Sequence, residues 1–170
     1  MSYNRVIETL LERRSIRSYR PEQISEDELA DILHAAKYAP TARGLQARHF
    51  TVIQNKQFLA EIAAAATGNE NDSPFYHAPT VIVLSAPQEA KYGREDCACA
   101  IMNIMLAAEA LGIGTCYICS ALDALRSDKI LRRLKLPEGY VPYGSVAVGY
   151  AKEHAEAPKE RCTNAISYIQ

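Results

Sequence analysis

Residues 13–20 read RRSIRSYR, which puts four arginines and two serines into eight positions. Arginine forks match phosphate oxygens bidentately and hydroxyls add neutral donors, so the stretch has the chemistry of an anion or phosphate pocket. A solvated basic stretch at a helix C-terminus would look the same, because cations are favourable there anyway. In an extended chain Ser15 and Arg17 alternate with Ile16 and share one side. Residues 39–46, APTARGLQ, join Pro, Gly and hydrogen-bonding side chains between a helix and a strand. They suit an ordinary connection or a loop that lines a ligand.

The cysteines invite a metal or thiol reading. Cys116 and Cys119 form a C-x-x-C, and Cys97 and Cys99 precede it. In a strand, positions i and i+3 point to opposite faces. On a helix, Cys97 and Cys99 lie about 200° apart. No second C-x-x-C stands at zinc spacing. Buried small apolar residues are the plainer reading, with a thiol oxidoreductase through Cys116 and Cys119 as its rival. His34, His49, His77 and His154 are scattered, and Asp96 and Glu109 make no carboxylate pair. No G-x-S-x-G, H-E-x-x-H, P-loop or G-x-G-x-x-G occurs. Gly112 and Gly114 precede a strand, so they are no dinucleotide fingerprint.

These residues need elements to hold them. Val6, Ile7, Leu10 and Leu11 give a helical stripe over residues 4–12. Ser25 and Glu28 have capping-box spacing, and the helix they open runs to about Tyr38, before Pro40. Residues 49–54 read as a strand and 56–66 as a short helix. Residues 80–86, TVIVLSA, are a β-branched run expected to be buried on both faces. The helix over residues 94–111 is apolar nearly all round, which calls for the sheet on one face and a partner subunit on the other. A strand at 115–119, an amphipathic helix at 123–134 and a last strand at 145–150 follow. The tail carries Ile166, Tyr168 and Ile169, apolar residues that suit docking onto a second chain. Strands and helices mix without strict alternation. The fold class is therefore α+β, a central mixed β-sheet sandwiched by helices.

The chain has 170 residues, a size that fits a single domain over 1–170 with its own core. Hydrophobic residues make 48% and charged residues 23%, which excludes collagen-like, coiled-coil and largely disordered classes. A net charge of -1 argues against a nucleic-acid binder. Five irregularly placed cysteines suit a reducing cytoplasm better than a disulfide framework. No signal-like stretch opens the sequence, and no apolar run is long enough to span a membrane. Tryptophan is absent while tyrosine reaches 10.

Five segments together resemble the FMN-dependent nitroreductase family. They are RRSIRSYRPEQIS, APTARGLQARHFTVI, HAPTVIVLSA, DCACAIMNIMLAAEALGIGTCYI and LPEGYVPYGSVAVGYA, in this order. The resemblance covers nearly the whole chain, and order and spacing make it specific. It implies an α+β flavoprotein that forms a domain-exchanging homodimer with two FMN sites at the interface. Arg13, Arg14 and Ser15 are similar to FMN phosphate and ribityl contacts, and Arg17 to the basic residue near the pyrimidine edge of the flavin. Pro40, Thr41, Ala42 and Gln46 would come to the same flavin from the partner chain. Ser120 and Ala121 stand where a backbone N–H is offered toward flavin N5. Lys159 and Arg161 are similar to a late basic pair on the phosphate, and Asn69 or Asn71 to a contact on the pyrimidine edge. Gly44 replaces a family Asn, with Arg43 beside it. Ala47-Arg48 replaces a Pro-Trp pair, Tyr117 a strand Trp, and Ser120-Ala121 a glycine-bearing loop with one extra residue.

The activity implied is ping-pong NAD(P)H oxidation through flavin N5, reducing nitroaromatics, quinones or related electrophiles at an open site. Arg17 would act there as an electrostatic tuner of flavin N1 and O2. NADH or NADPH is the co-substrate, no metal is expected, and the partners are a small-molecule substrate and a second copy of the chain. A flavin-binding sensor or storage protein without turnover is the alternative.

Overall fold

The computed structural model describes residues 4–69, 72–153, 157–162 and 165–170. Helix starts follow their caps. Asn4 Oδ1 accepts the Ile7 N–H at 3.0 Å and opens α1 (Arg5–Glu12). Ser25 and Glu28 close a full capping box and open α2 (Glu26–Lys37). Asn55 caps α3 (Lys56–Thr67), which Gly68 ends at φ 74°. The remaining helices are α4 (Gly93–Ala110), α5 (Leu122–Arg126) and α6 (Asp128–Leu131).

The strands are β1 (His49–Ile53), β2 (Thr80–Pro87), β3 (Gly114–Ile118) and β4 (Tyr140–Gly149), in sheet order β1-β2-β4-β3. Adjacent strands are antiparallel throughout. This corrects the expected mixed sheet. β2 and β3 do run the same way across α4, but β4 inserts between them and pairs antiparallel with both. β1 and β2, joined through α3, also pair antiparallel. The only parallel pairing among the described residues is an isolated bridge, Ser15 to Thr115.

Residues 80–86 are buried throughout, as a strand covered on both faces requires. Side chains alternate along it. Val81 and Val83 join Phe58, Ile62, Phe75, Leu125 and Leu134 on one face. Ile82, Leu84 and Ala86 join Ile32, Ala36, Ile101 and Ile104 of α2 and α4 on the other. The single helix expected over 123–134 is instead two short ones. Ser127 sits between them at φ −62°, ψ 142°, and its hydroxyl donates to the Ala124 carbonyl at 2.7 Å. A serine that bonds its own backbone favours such a cap over a helix interior.

Several apolar side chains have no cover within the chain. Val6 of α1 is 67% exposed, Met102 of α4 44% and Tyr168 of the tail 83%. α1 buries no residue at all. Among the described residues no helix is long and apolar enough to cross a membrane.

Candidate functional site

The arginine-rich stretch is laid across one end of the sheet. α1 stops at Glu12, and Arg14 Nη1 donates to the carbonyls of Leu11, Glu12 and Arg13 at 2.8, 2.8 and 2.9 Å. Arg14 thereby satisfies the orphan carbonyls of the last turn. The chain then runs extended. The Ile16 N–H donates to Thr115 O at 2.8 Å and the Arg20 N–H to Tyr150 O at 2.9 Å. Two glycines let it approach. A Cβ on Gly114 would stand 2.9 Å from Ile16 Cγ1, and one on Gly149 would stand 3.2 Å from Tyr19 Cδ1. Tyr19 locks the far end, its hydroxyl donating to the Ile16 carbonyl at 2.7 Å.

This strip forms one wall of a cleft of about 440 Å³. Arg13, Arg14, Ser15 and Arg17 line it, and Lys159 and Arg161 face them from the other end of the sequence. Glu153 is the one acidic residue among the described residues that line it. Arg13 Nη1 is buried and has no hydrogen-bond partner among the described residues. A buried guanidinium nitrogen without an acceptor is costly, and an anion in the cleft would relieve it. Arg17 Nη1 donates to Ser15 O at 3.4 Å, and its guanidinium lies 5.8 Å from the Tyr76 ring centroid.

Cys116 lies beneath the strip. Burial pushes its thiol up, opposed in turn by Arg17, a hydrogen bond from Ser15 and Arg13. Burial likewise pushes Cys97 up to about 12. Raised thiols are the reverse of what thiolate nucleophiles need. Cys119 is exposed beyond the end of β3, while Cys116 is buried in the core.

The other expected contacts do not line this cleft. Pro40, Thr41, Ala42 and Gln46 form a separate loop between α2 and β1. Ser120 is exposed and Ala121 buried, past the far end of β3 from Ser15. Neither of their backbone N–H groups donates to an acceptor among the described residues. Asn69 follows α3, its N–H bonded to Thr67 Oγ1 at 3.1 Å. Asn71 and His154 lie outside the described residues. Tyr117 packs over Gly144, where a Cβ would come within 3.0 Å of its ring. Arg48, in the place of the family Trp, bonds the carbonyls of Lys37 and Ala39. Sequence reasoning missed Tyr76, Glu153 and Asp96. They reach the site or its loops only through tertiary folding, and no local pattern marks them.

A family profile described as the Nitroreductase family matches residues 10–74 and 66–150. A relative from Archaeoglobus fulgidus, provisionally named an NADH dehydrogenase/NAD(P)H nitroreductase, is 33% identical over 151 residues, 85% of this chain and 84% of its own. An FMN reductase [NAD(P)H] of Bacillus subtilis is 25% identical, covering 92% of this chain and 70% of its own. The crystal structure of a Bacteroides fragilis nitroreductase with bound FMN superposes with a TM-score of 0.90. It is 34% identical and covers 99% of this chain and 100% of its own.

Proposed function

This chain belongs to the nitroreductase family, and on that premise we propose that it is an FMN-dependent NAD(P)H oxidoreductase with the flavin phosphate in the arginine cleft. One observation carries this reading: Arg13, Ser15, Arg17, Lys159 and Arg161 line one cleft, and a buried Arg13 nitrogen there has no acceptor among the described residues. A phosphate monoester matches that donor set in charge and in forked geometry. Bound there, FMN supplies hydride chemistry at N5, from a reduced nicotinamide to a nitroaromatic, quinone or related electrophile.

The chain's own groups bind and orient. Arg13 and Ser15 hold the phosphate and ribityl end, with the nitrogens of Arg14 that do not cap α1 beside them. Lys159 and Arg161 close over the phosphate. Arg17 places a fixed cation toward the pyrimidine edge, where negative charge develops on reduction. The unengaged amides of Ser120 and Ala121 suit a donor toward N5. Pro40, Thr41, Ala42 and Gln46 face the flavin of a second copy, in keeping with their separation from this cleft. The uncovered faces of α1 and α4 and the apolar tail support a homodimer with chain exchange around the two sites.

The visible spectrum of the purified protein, titrated anaerobically with NADH and NADPH, tests the reading. A flavin spectrum bleached by either nucleotide and restored by a quinone or nitroaromatic is expected. A protein that takes up no FMN defeats it. Bound flavin that neither nucleotide bleaches would leave a flavin-binding protein without turnover.

A further inference from the structure

The loop between α2 and β1 is more constrained than a connection needs. Arg43, Gly44 and Gln46 take φ of 57°, 66° and 52°. Two of these are not glycine, and left-handed backbone at such residues persists only where the surroundings hold it. Apolar packing does not hold it here, because residues 43–46 are exposed. Polar groups do. Asp96 Oδ1, in the first turn of α4, accepts the Ala42 N–H at 2.8 Å. Thr41 Oγ1 accepts the Gln46 N–H at 3.0 Å. Arg48 Nη2 donates to the Ala39 and Lys37 carbonyls at 3.0 and 3.3 Å, and Nη1 to the Asp96 carbonyl at 3.4 Å. Arg48 Nε is buried with no partner among the described residues, so this clasp is kept at a desolvation cost.

The loop presents Arg43. Its side chain is exposed, with no ion pair or hydrogen bond among the described residues. Beside it, a Cβ on Gly44 would meet nothing within 4 Å, so the next position of the loop is open as well. We infer that Asp96 and Arg48 are positioning residues that fix this loop so that Arg43 selects reactants bearing an anionic group. The inference rests on the reading that the loop faces the flavin of a second copy. The anion is a carboxylate on the electron acceptor or the 2′-phosphate of NADPH, and a guanidinium fork pairs bidentately with either.

The FMN-loaded protein tests this in two arms. With NADH fixed, the kcat/KM ratio of 4-nitrobenzoate over 4-nitrobenzamide is measured. With 4-nitrobenzamide fixed, the ratio of NADPH over NADH is measured. In Arg43→Gln one of these ratios falls about fivefold, the upper scale of an exposed charge pair, with the change carried by KM. The arm that falls names the reactant carrying the anion. Asp96→Ala lowers the same ratio, and Asp96→Asn, whose amide oxygen still accepts the Ala42 N–H, restores it. A merely structural Asp96 would lower Tm and leave both ratios alone, which removes the clasp from the proposal. Both ratios unchanged in Arg43→Gln overturns the inference and leaves the flavin reading standing. No NAD(P)H-dependent nitroreduction by the unaltered protein overturns both.

Discussion

Arg17 touches three neighbours of different kinds: the Ser15 carbonyl, the Tyr76 ring and, through its charge, the Cys116 thiol. Its proposed task is electrostatic, so removing it should move a potential. Arg17→Ala is expected to lower the midpoint potential of bound flavin by about 30 mV, since a two-electron couple shifts by roughly that for 1.4 kcal/mol. Spectroelectrochemistry of the two proteins reads it, and an unchanged potential removes Arg17 from that role. At this scale the sequence was legible where chemistry sits on adjacent positions. Arg13, Arg14, Ser15 and Arg17 stand out as one string, and the structure lines one cleft with all four. Asp96 and Ala42 are 54 positions apart, and nothing local to either announces their bond.

At the scale of elements, the helix ends were legible because capping is local chemistry. The capping box at Ser25 and Glu28 forms as its spacing implies, and Tyr150, just past β4, adds a bond, its hydroxyl donating to Glu28 Oε2 at 2.7 Å. That bond, with those from Ser25, holds the Glu28 carboxyl below its ordinary value of 4.5. A depressed folded pKa gives stability that is present above the unfolded value and lost as pH falls through the folded one. Glu28→Gln should therefore lower Tm at pH 7, with the deficit shrinking below about pH 4, as thermal scans across pH would show. A deficit that does not shrink at all as the pH falls would assign the effect to something other than charge. Gly114 offers a second test. Gly114→Ala drives a Cβ into Ile16, which overpacking prices at about 1–3 kcal/mol and which should also weaken FMN binding by shifting the strip. Denaturant unfolding and flavin titration measure the two effects, and Ile16→Ala in the same chain should recover part of both. The sheet was less legible. Strand direction depends on how long the return path is and on which strand inserts between two others, and β4 does this from far along the sequence.

At the scale of the whole molecule, the near-neutral charge resolves into a local basic cleft set within a balanced surface, suited to one phosphate and not to a polymer. The uncovered α1 and the exposed face of α4 are the surfaces that the proposed homodimer would cover. Light scattering should give about twice the 18.8 kDa of the chain. Leu10→Asp, which puts a charge on the exposed face of α1, should shift the mass toward the monomer and release flavin in parallel. A monomer that keeps its flavin would separate the site from the assembly.

The walls of the cleft come from opposite ends of the chain: Arg13 to Arg17 precede every strand, and Lys159 and Arg161 follow the last. On a ribosome the first wall is made before there is any sheet to lie on. The second emerges only after β4, the strand that pairs with both β2 and β3, has been made. With the flavin placed as proposed, its capture is a late event, and the nascent sheet finds its order without the flavin as a template. A chain arrested short of residue 159 would carry the complete sheet and half of a phosphate site.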